Sequence, residues 1–384
     1  MLILRNTSLV FLMFVFFFCS CNQEQKPDNL ALKGVIYDST KVDTIHIDVE
    51  EIERRIEENH LVKENVEIIP LETKEECLVG EINKLHFDGE RFYVFDRHIA
   101  KKLFVFDKNG KFLFQIGKQG KGPSEYSSIN DIMVYPHKNQ VDLLDLGAHK
   151  ILRFNSKTGE FIEERHYNEV LFPKGMAYVE DKNLVFYGGS YMGPEYFEHI
   201  PELEELDIRY NLLVMNQDFL NIDQKAYAYD DIGYFKGRTI ATFSVFSGFY
   251  YYNDTLTFAP TIENYISRIT SEGVFARYFI DFGKSAVPND FWKEDYKLTS
   301  LKQTEYISFI ERVFETQNYL CFTLGFRGSR LRLLYSKKHK KVFQGFDIDD
   351  TKENYVYFGE LLGTYNGKIM SEINSLWGSY CKLP

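Results

Sequence analysis

The chain is short of proline, cysteine and tryptophan, and these shortages exclude several classes of protein. Its 384 residues include only 10 Pro, 5 Cys and 2 Trp. So little Pro, with 25 Gly and 44% hydrophobic residues, excludes a collagen-like or low-complexity disordered chain. Five cysteines in a chain of this length do not make a disulfide scaffold. The composition predicts an ordinary globular fold.

Basic residues and catalytic motifs are also scarce. Lys and Arg number 45 against 56 Asp and Glu, which gives a net charge of −11. Nucleic-acid phosphates require clustered Lys and Arg, so this chain is a poor partner for nucleic acid. Nine His residues form no HExxH motif, and the chain has no CxxC and no GxSxG. We therefore expect no cofactor, no metal and no catalytic residue, although ligands from separate parts of the chain could converge.

The first 21 residues have the pattern of a targeting segment. Arg5 precedes an apolar run, Leu9–Phe18, which is too short to cross ~30 Å of hydrocarbon and fits the core of a signal peptide. The run leads to Ser20-Cys21, which resembles a bacterial lipobox, where the Cys after a small residue is acylated. A plain secretory signal is the alternative. We expect cleavage before Cys21 and a membrane anchor through its lipid.

These features divide the chain into three expected parts. Residues 1–20 are the signal peptide, 21–41 a lipid-anchored polar tether, and 42–384 a single domain. No later run approaches 18 apolar residues, so no second membrane element is expected. The expected location is the cell envelope, as an outer-membrane lipoprotein, and the sequence does not fix which side of the membrane it faces.

Aromatic residues are abundant and fall in a repeating pattern. The 34 Phe and 26 Tyr favour strands. Residues 82–117 contain four short apolar runs, separated in part by Asp-Gly and Asn-Gly turns, and residues 129–166 repeat the pattern. Later echoes of the third-to-fourth strand turn place equivalent aromatic residues at Phe112, Phe161, Phe219, Phe275 and Phe343. Five echoes predict five four-stranded units.

Such units bury both faces only by stacking around a ring, which predicts an all-β propeller. Strand-like pieces are left over at both ends of the repeats, so we expect a six-bladed β-propeller of four-stranded antiparallel blades. Val66–Glu72 would supply the outer strand of the last blade and Phe358–Ile373 its inner strands. The ring would be closed by N- and C-terminal strands. Because the sequence stops at Pro384, we expect a last blade that can be short of a strand.

Three phrases carry a family resemblance: IIPLET (68–73), FVFDKNGKF (104–112) and IGKQGKGPSEY (116–126). Together with residues 129–161, they resemble the NHL repeat and the six-bladed β-propeller lipoproteins of Bacteroides-type bacteria. The resemblance is specific in the first two blades and loose afterwards. It implies the fold and an envelope location, and no general activity.

Two repeat-equivalent carboxylates and a tyrosine run have competing interpretations. Asp96 and Asp145 each end a second strand and could act as an acid and base pair, but turn capping is the stronger interpretation. Tyr250-Tyr251-Tyr252 could stack on a ligand, although packing between blades is favoured.

Strand parity predicts where a binding site would lie. In an antiparallel meander, the second-to-third connections and the connections between blades emerge on one face. The segments 117–127, 188–207, 284–304 and 325–330 are expected to be long connections on that face, where binding sites are normally built. The candidate binding residues there are Trp292, Arg327, Arg330, Tyr126, Tyr191 and Tyr196. Trp292 and Arg327 are the strongest candidates, because Trp and Arg are enriched at binding hot spots.

Three functions remain open from the sequence. The leading hypothesis is an envelope lipoprotein that acts as a ligand- or protein-binding propeller scaffold. The alternatives are a propeller lyase or hydrolase with its site at the channel mouth, and a subunit of an outer-membrane uptake machine.

Overall fold

A computed structural model of the chain describes most of the region expected to form the domain. The described residues are 34–52, 67–180, 182–188, 210–216, 218–228, 248–261, 264–288, 304–344, 348–350, 354–356 and 358–373. In these ranges no helix is long and apolar enough to cross a membrane. Within the same ranges, helix is limited to three 3₁₀ turns at Glu75–Cys77, Pro136–Lys138 and Gly283–Ser285.

The described residues form 28 strands, numbered here in chain order. The first twelve are β1 Val35–Ile36, β2 Asp43–His46, β3 Lys84–Phe87, β4 Arg91–Asp96, β5 Lys102–Asp107, β6 Phe112–Ile116, β7 Lys118–Gln119, β8 Glu125–Tyr126, β9 Ile129–Tyr135, β10 Gln140–Asp145, β11 Lys150–Asn155 and β12 Phe161–His166. The next eight are β13 Gly175–Val179, β14 Asn183–Tyr187, β15 Tyr210–Met215, β16 Ile222–Ala228, β17 Phe249–Tyr252, β18 Thr255–Phe258, β19 Tyr265–Thr270 and β20 Gly273–Asp281. The last eight are β21 Ile307–Glu315, β22 Tyr319–Phe326, β23 Ser329–Ser336, β24 Lys341–Gln344, β25 Ile348–Asp350, β26 Asn354–Val356, β27 Phe358–Tyr365 and β28 Lys368–Ile373.

Five four-stranded antiparallel meanders build a propeller-like arrangement. Blade 1 is β3–β6, blade 2 is β9–β12, blade 3 is β13–β16, blade 4 is β17–β20 and blade 5 is β21–β24. All five predicted turns between a third and a fourth strand are present. The first strands β9, β13, β17 and β21 contact one another in sequence, so they line the centre.

The C-terminal hairpin fills the space between the last and the first blade. β27 and β28 pair with each other, and β27 contacts both β21 of blade 5 and β3 of blade 1. The prediction that Phe358–Ile373 supplies inner strands is therefore confirmed. Five four-stranded blades are found in the described residues, not six; the position expected for the sixth, which was predicted to be able to lack a strand, holds the two strands of this hairpin.

The predicted outer strand at Val66–Glu72 does not form; Val66 itself lies outside the described residues. Residues 67–72 are not a strand, and they lie on blade 1 instead of pairing with β28. The Glu72 N–H donates to the Gly110 carbonyl over 2.8 Å, and the Phe112 N–H donates to Glu72 Oε2 over 2.9 Å. The hydrogen-bond partners of Glu72 therefore lie in the turn of blade 1, and not in the last blade as predicted.

The N-terminal segment extends blade 4. β1 and β2 both pair with the outer strand β20 in parallel, with Val35 opposite Val274 and Asp43 opposite Tyr278. β1 lies within the segment 21–41 that the sequence analysis assigned to a tether, so part of that segment belongs to the fold. The pairing covers an edge strand that would otherwise be open.

Apolar side chains fill the spaces between successive sheets. One cluster joins blades 1 and 2 and includes Phe95, Val105, Ile132 and Leu143, and similar clusters follow around the ring. β4 and β5 are buried along nearly their whole length, because both faces of a blade pack on neighbours. This double burial explains the unbroken apolar runs in the sequence.

Asp96 and Asp145 are structural capping residues, as the favoured interpretation predicted. Both side chains are fully buried. Asp96 accepts four backbone N–H bonds of 2.7–3.0 Å, from Gly80, Glu81, Ile99 and Ala100. Asp145 accepts bonds from Ser127 and from the N–H groups of Ser128 and Gly147. Each carboxylate ties the entry of its blade to the end of the second strand.

Candidate ligand site at the central cavity

The two faces of the ring differ in the length of their connections. Connections between a second and a third strand, and connections between blades, lie on one face of the ring, named here the long-connection face. The described examples are 117–128 and 167–174. On the opposite face, the tight-turn face, no connection within a blade exceeds the six residues 216–221.

Of the predicted binding residues, Tyr126 has no exposed surface. Its ring is fully buried in the cluster between blades 1 and 2, and its hydroxyl donates to the Lys101 carbonyl over 3.1 Å. Burial raises the pKa of Tyr126 to about 12. Tyr126 therefore contributes to packing, because its ring is packed in this cluster and its hydroxyl is already hydrogen-bonded.

Arg327 lies on the long-connection face in a tight turn, because β22 and β23 run through most of the segment 325–330. That segment was expected to be a long loop, and only Arg327 and Gly328, both with positive φ, connect the strands. The Arg327 guanidinium contacts Glu305 at 2.8 Å and Glu50 at 3.3 Å. It is half-exposed, and its charge is balanced by these carboxylates.

Arg330 enters a network of charges between blade 5 and the C-terminal hairpin. It contacts Glu311, and it lies 3.0 Å from Glu360, which also pairs with Arg312 at 3.0 Å. Burial raises the pKa of Glu311, and the neighbouring Arg330 opposes that shift. Arg330 and Arg327 lie in the same blade and are engaged by different carboxylates.

The remaining predicted residues lie outside the described part of the chain. These are Trp292, Tyr191, Tyr196 and the lipidation candidate Cys21. The Tyr250–Tyr252 run packs as expected: Tyr250 is buried, and the Tyr252 ring lies against the cations of Arg277 and Lys337. Tyr251 crosses to blade 3, where its hydroxyl donates to the Tyr178 carbonyl over 2.6 Å.

A cavity of about 190 Å³ lies at the centre of the ring. It is lined by residues of the innermost strands β3, β9, β17, β21 and β27, together with Asn83 and Arg97. No single blade encloses this space, so it exists only when the ring is assembled. Of the predicted binding residues that the structure describes, none of Tyr126, Arg327 and Arg330 lines it.

One ion pair joins blades 1 and 2 at this cavity. Lys84, at the start of β3, places Nζ 2.8 Å from Asp131 Oδ1 and 2.7 Å from the Ile132 carbonyl. Asp131 is 4% exposed and also accepts the Met176 N–H over 2.9 Å, which brings in blade 3. These hydrogen bonds offset the cost of burying the carboxylate.

A second cation, Arg97, stands near that carboxylate, and Lys174 stands near Arg97. Arg97 follows β4 and lines the cavity, and burial lowers its pKa while the Asp131 charge opposes that effect. Lys174 precedes β13, with its aliphatic chain against Gly188. Burial and the nearby positive charge of Arg97 lower the pKa of Lys174 to about 8. Both groups lie at the long-connection face, because they stand where a second strand ends and where a first strand begins.

Two lining side chains keep a buried nitrogen without a hydrogen-bond partner among the described residues. Asn83 is 7% exposed; its Oδ1 accepts the Arg97 N–H over 2.6 Å, and its Nδ2 is unsatisfied. The Nε2 of His86 is also unsatisfied, and burial lowers the pKa of His86 to about 4. The cavity thus offers a hydrogen-bond donor, the Asn83 amide nitrogen, to a small group. In the described residues no cluster of three or more potential metal ligands occurs.

Sequence reasoning missed these residues although a signal was present. The first strands of blades 1 and 2 begin with INK (82–84) and IND (129–131), which places Lys84 and Asp131 at equivalent positions. Polar residues at the start of an otherwise apolar inner strand mark the cavity rim. The prediction placed the binding residues on the long connections at the outer rim instead.

Comparison with solved structures supports the fold. A candidate exported protein from Bacteroides fragilis NCTC 9343 aligns over 88% of this chain and 92% of its own, with a TM-score of 0.64 and 18% identity. A member of the DUF4221 family from Bacteroides vulgatus aligns over 72% and 83% of the two chains, with 10% identity and a TM-score of 0.47. At 18% identity the first of these similarities shows the fold alone. No curated protein matches the chain.

A family model matches nearly the whole described region. The match covers residues 43–375, from β2 through the C-terminal hairpin, and so includes every blade and the cavity. The chain belongs to the family described as Domain of unknown function (DUF4934).

Proposed function

We propose that the protein is a cell-envelope lipoprotein whose propeller binds a ligand at the central cavity, entered from the long-connection face. The observation that carries the proposal is the cavity itself, where residues from five innermost strands and Arg97 enclose a space with unsatisfied polar atoms. Binding sites occur where a rigid scaffold converges a few polar groups on a concave surface. The likeness to a candidate exported protein supports the envelope location.

In this proposal the ring has six positions, as in NHL-like propellers. The β27–β28 hairpin acts as the sixth, because β27 contacts the neighbours on both sides. Arg312, on β21, supports this closure: its guanidinium donates to the Leu361 carbonyl over 2.6 Å and pairs with Glu360. A buried charged contact of this kind holds the hairpin against blade 5.

The anchor is tested first, by replacing Cys21 with Ala. The expected result is loss of metabolic labelling by palmitate and a shift of the protein from the membrane to the soluble envelope fraction. A matched control is Cys19→Ala, which leaves the lipidated residue in place. If Cys21→Ala labels and fractionates like the wild type, the lipoprotein assignment is wrong.

Ligand binding is tested by native pull-down from solubilised membranes, followed by mass spectrometry of proteins and small molecules. The wild-type chain is compared with Arg97→Glu at the cavity and with Lys108→Glu on the tight-turn face. The proposal expects a co-purifying ligand that only Arg97→Glu loses. If only Lys108→Glu loses it, the site lies on the opposite face.

A further inference from the structure

We propose that the central cavity binds an uncharged, mainly apolar group with one hydrogen-bond acceptor, a carbonyl or hydroxyl oxygen that accepts from the Asn83 amide. This deepens the proposed function and rests on it, because it assigns the chemistry of the ligand at the same site. Four features of the cavity support it: paired charges, apolar walls, an unsatisfied neutral donor and a small volume.

The ionised side chains that line the cavity are engaged with other groups of the protein. Lys84 Nζ lies 2.8 Å from Asp131 Oδ1, and Arg312 Nε lies 3.0 Å from Glu360 Oε2. Arg97 is also engaged, and the Asp131 charge acts on it. An ionised ligand would lose its hydration on entry, and it would gain a charged partner only by disturbing one of these contacts. The cavity therefore favours an uncharged ligand.

Apolar side chains and neutral backbone dipoles make up much of the wall. The apolar lining residues of β3, β9, β27 and β28 include Leu85, Phe87, Ile132, Val134, Leu362 and Met370. Among the described residues each innermost strand has a pairing partner on one side only, so its inner edge carries backbone N–H and C=O groups. Lys84 uses one of these groups, the Ile132 carbonyl, at 2.7 Å. Such a lining suits an apolar group with few polar atoms.

Asn83 supplies the donor that would orient the bound group. Its side chain is buried, and its Oδ1 accepts the Arg97 N–H over 2.6 Å. This bond fixes which end of the amide is the nitrogen, and that nitrogen has no acceptor among the described residues. A buried donor without a partner costs stability, so an oxygen atom of a ligand would be stabilised at this position.

His86 adds a second polar group to the lining without adding a charge. Its Nε2 has no hydrogen-bond partner among the described residues, and burial lowers the pKa of His86 to about 4, so the imidazole is neutral at pH 7. His86 follows Asn83 by three residues, which corresponds to about 10 Å along an extended chain. The two unsatisfied nitrogens therefore belong to neutral groups at different levels of the ring.

The volume sets the size of the group. The cavity measures about 190 Å³, and an apolar cavity of about 150 Å³ accommodates a benzene ring. Sites for whole drug-sized ligands measure about 300–1,000 Å³. The cavity therefore accommodates a single ring, or a branched chain of similar size, with one small polar substituent.

The experiment is a nuclear magnetic resonance titration that follows the methionine methyl groups. Met133 on β9 and Met370 on β28 line the cavity, whereas Met215, on the third strand of blade 3, is fully buried in another cluster. The protein is the mature chain from residue 21 with Cys21→Ala, so that neither lipid nor detergent takes up the probes. Its methionine methyl groups carry ¹³C, and single Met→Leu substitutions assign the signals.

Four probes share one benzene ring and differ in their substituent. Acetophenone carries a neutral carbonyl, benzoate an anionic group and benzylamine a cationic group, and toluene has no polar atom. At pH 7.5 we expect acetophenone to bind about tenfold or more tightly than either ion and about fivefold or more tightly than toluene, since it alone brings an acceptor without a charge. Its ring should shift the methyl signals of Met133 and Met370 and leave that of Met215 in place.

Asn83→Asp tests the donor. The substitution keeps an oxygen for the Arg97 N–H and removes only the amide nitrogen, so acetophenone should then bind no more tightly than toluene. Asn109→Asp, at the exposed turn between β5 and β6, is the matched control and should leave the affinity ratio of these two probes unchanged. An unshifted Met215 signal shows that a variant is folded. If Asn83→Asp does not fold, the four probes still decide the proposal on the unsubstituted cavity.

The inference is overturned if acetophenone binds no better than benzoate, benzylamine or toluene, or if it leaves the Met133 and Met370 signals in place. It is also overturned if folded Asn83→Asp still prefers acetophenone to toluene. Capture in the pull-down of an ionised ligand that depends on the cavity would retain the proposed binding function and reject only the uncharged group. A captured ligand that only Lys108→Glu loses, together with acetophenone binding in the cavity, would do the reverse.

Discussion

Lys84 and Asp131 form an ion pair of 2.8 Å across the boundary between blades 1 and 2. The two residues stand at equivalent positions of their repeats, one cationic and one anionic. Because Asp131 also receives an N–H from Met176 of blade 3, one carboxylate links three consecutive blades at the centre of the ring.

Lys84→Met is expected to lower the free energy of unfolding by about 2 kcal/mol, because the buried Asp131 carboxylate loses its charged partner. The value lies below that of fully buried pairs, since the Lys84 side chain is 27% exposed. Urea denaturation measures the change, and the double variant Lys84→Met/Asp131→Asn should recover part of it. A double variant less stable than the sum of the single variants would contradict the pairing.

Asp96→Asn is expected to destabilise the protein by about 3 kcal/mol or more, because an amide replaces a carboxylate that accepts four backbone N–H bonds. Glu90→Gln, at an exposed turn, is the matched control and should change the stability by less than about 0.5 kcal/mol. Both are measured by urea denaturation. Equal effects of the two substitutions would reject the capping role.

Gly110→Ala and Gly367→Ala test whether residues 67–72 are fastened to blade 1. Both glycines have positive φ, +82° and +77°. A Cβ at Gly110 would lie 2.1 Å from the Pro70 carbonyl oxygen, whereas nothing lies within 4 Å of a Cβ at Gly367. Both variants bear the left-handed strain of roughly 1 kcal/mol, and Gly110→Ala should lose at least about 2 kcal/mol more because of the clash.

Thermal denaturation compares the two glycine variants. If they melt at the same temperature, the segment 67–72 does not lie against the turn at Gly110. That result would contradict the observed packing of residues 67–72 on blade 1.

Because of His86, we expect the free energy of unfolding to fall in mildly acidic solution. Burial lowers the pKa of His86 to about 4 from an ordinary 6.5. Between these pH values the imidazole is therefore protonated in the unfolded chain and neutral in the folded chain. Its contribution is complete above pH 6.5 and is lost as the pH falls toward 4. Urea denaturation from pH 7.5 to 4.5 should show a shallower decline for His86→Gln than for the wild type; parallel curves would show that His86 does not titrate in this way.

Strands and turns were predictable because they depend on local pattern. Alternating aromatic and β-branched residues, with Asn-Gly and Asp-Gly turns, identified the meanders of blades 1 and 2. The five echoes identified the third-to-fourth strand turns, and Phe358–Ile373 was recognised as a pair of inner strands. The capping role of Asp96 and Asp145 followed from their equal positions in the repeat.

The sequence by itself determined the repeat and the turns between third and fourth strands, since these depend on neighbours within a few residues. Only the tertiary structure decided where the edges pair: residues 67–72 bond to the Gly110 turn, and β1 and β2 add to β20. It also decided the candidate site. Lys84 and Arg97 come from blade 1 and Asp131 from blade 2, and no local pattern encodes their convergence, because closure of the ring is what brings their charges together.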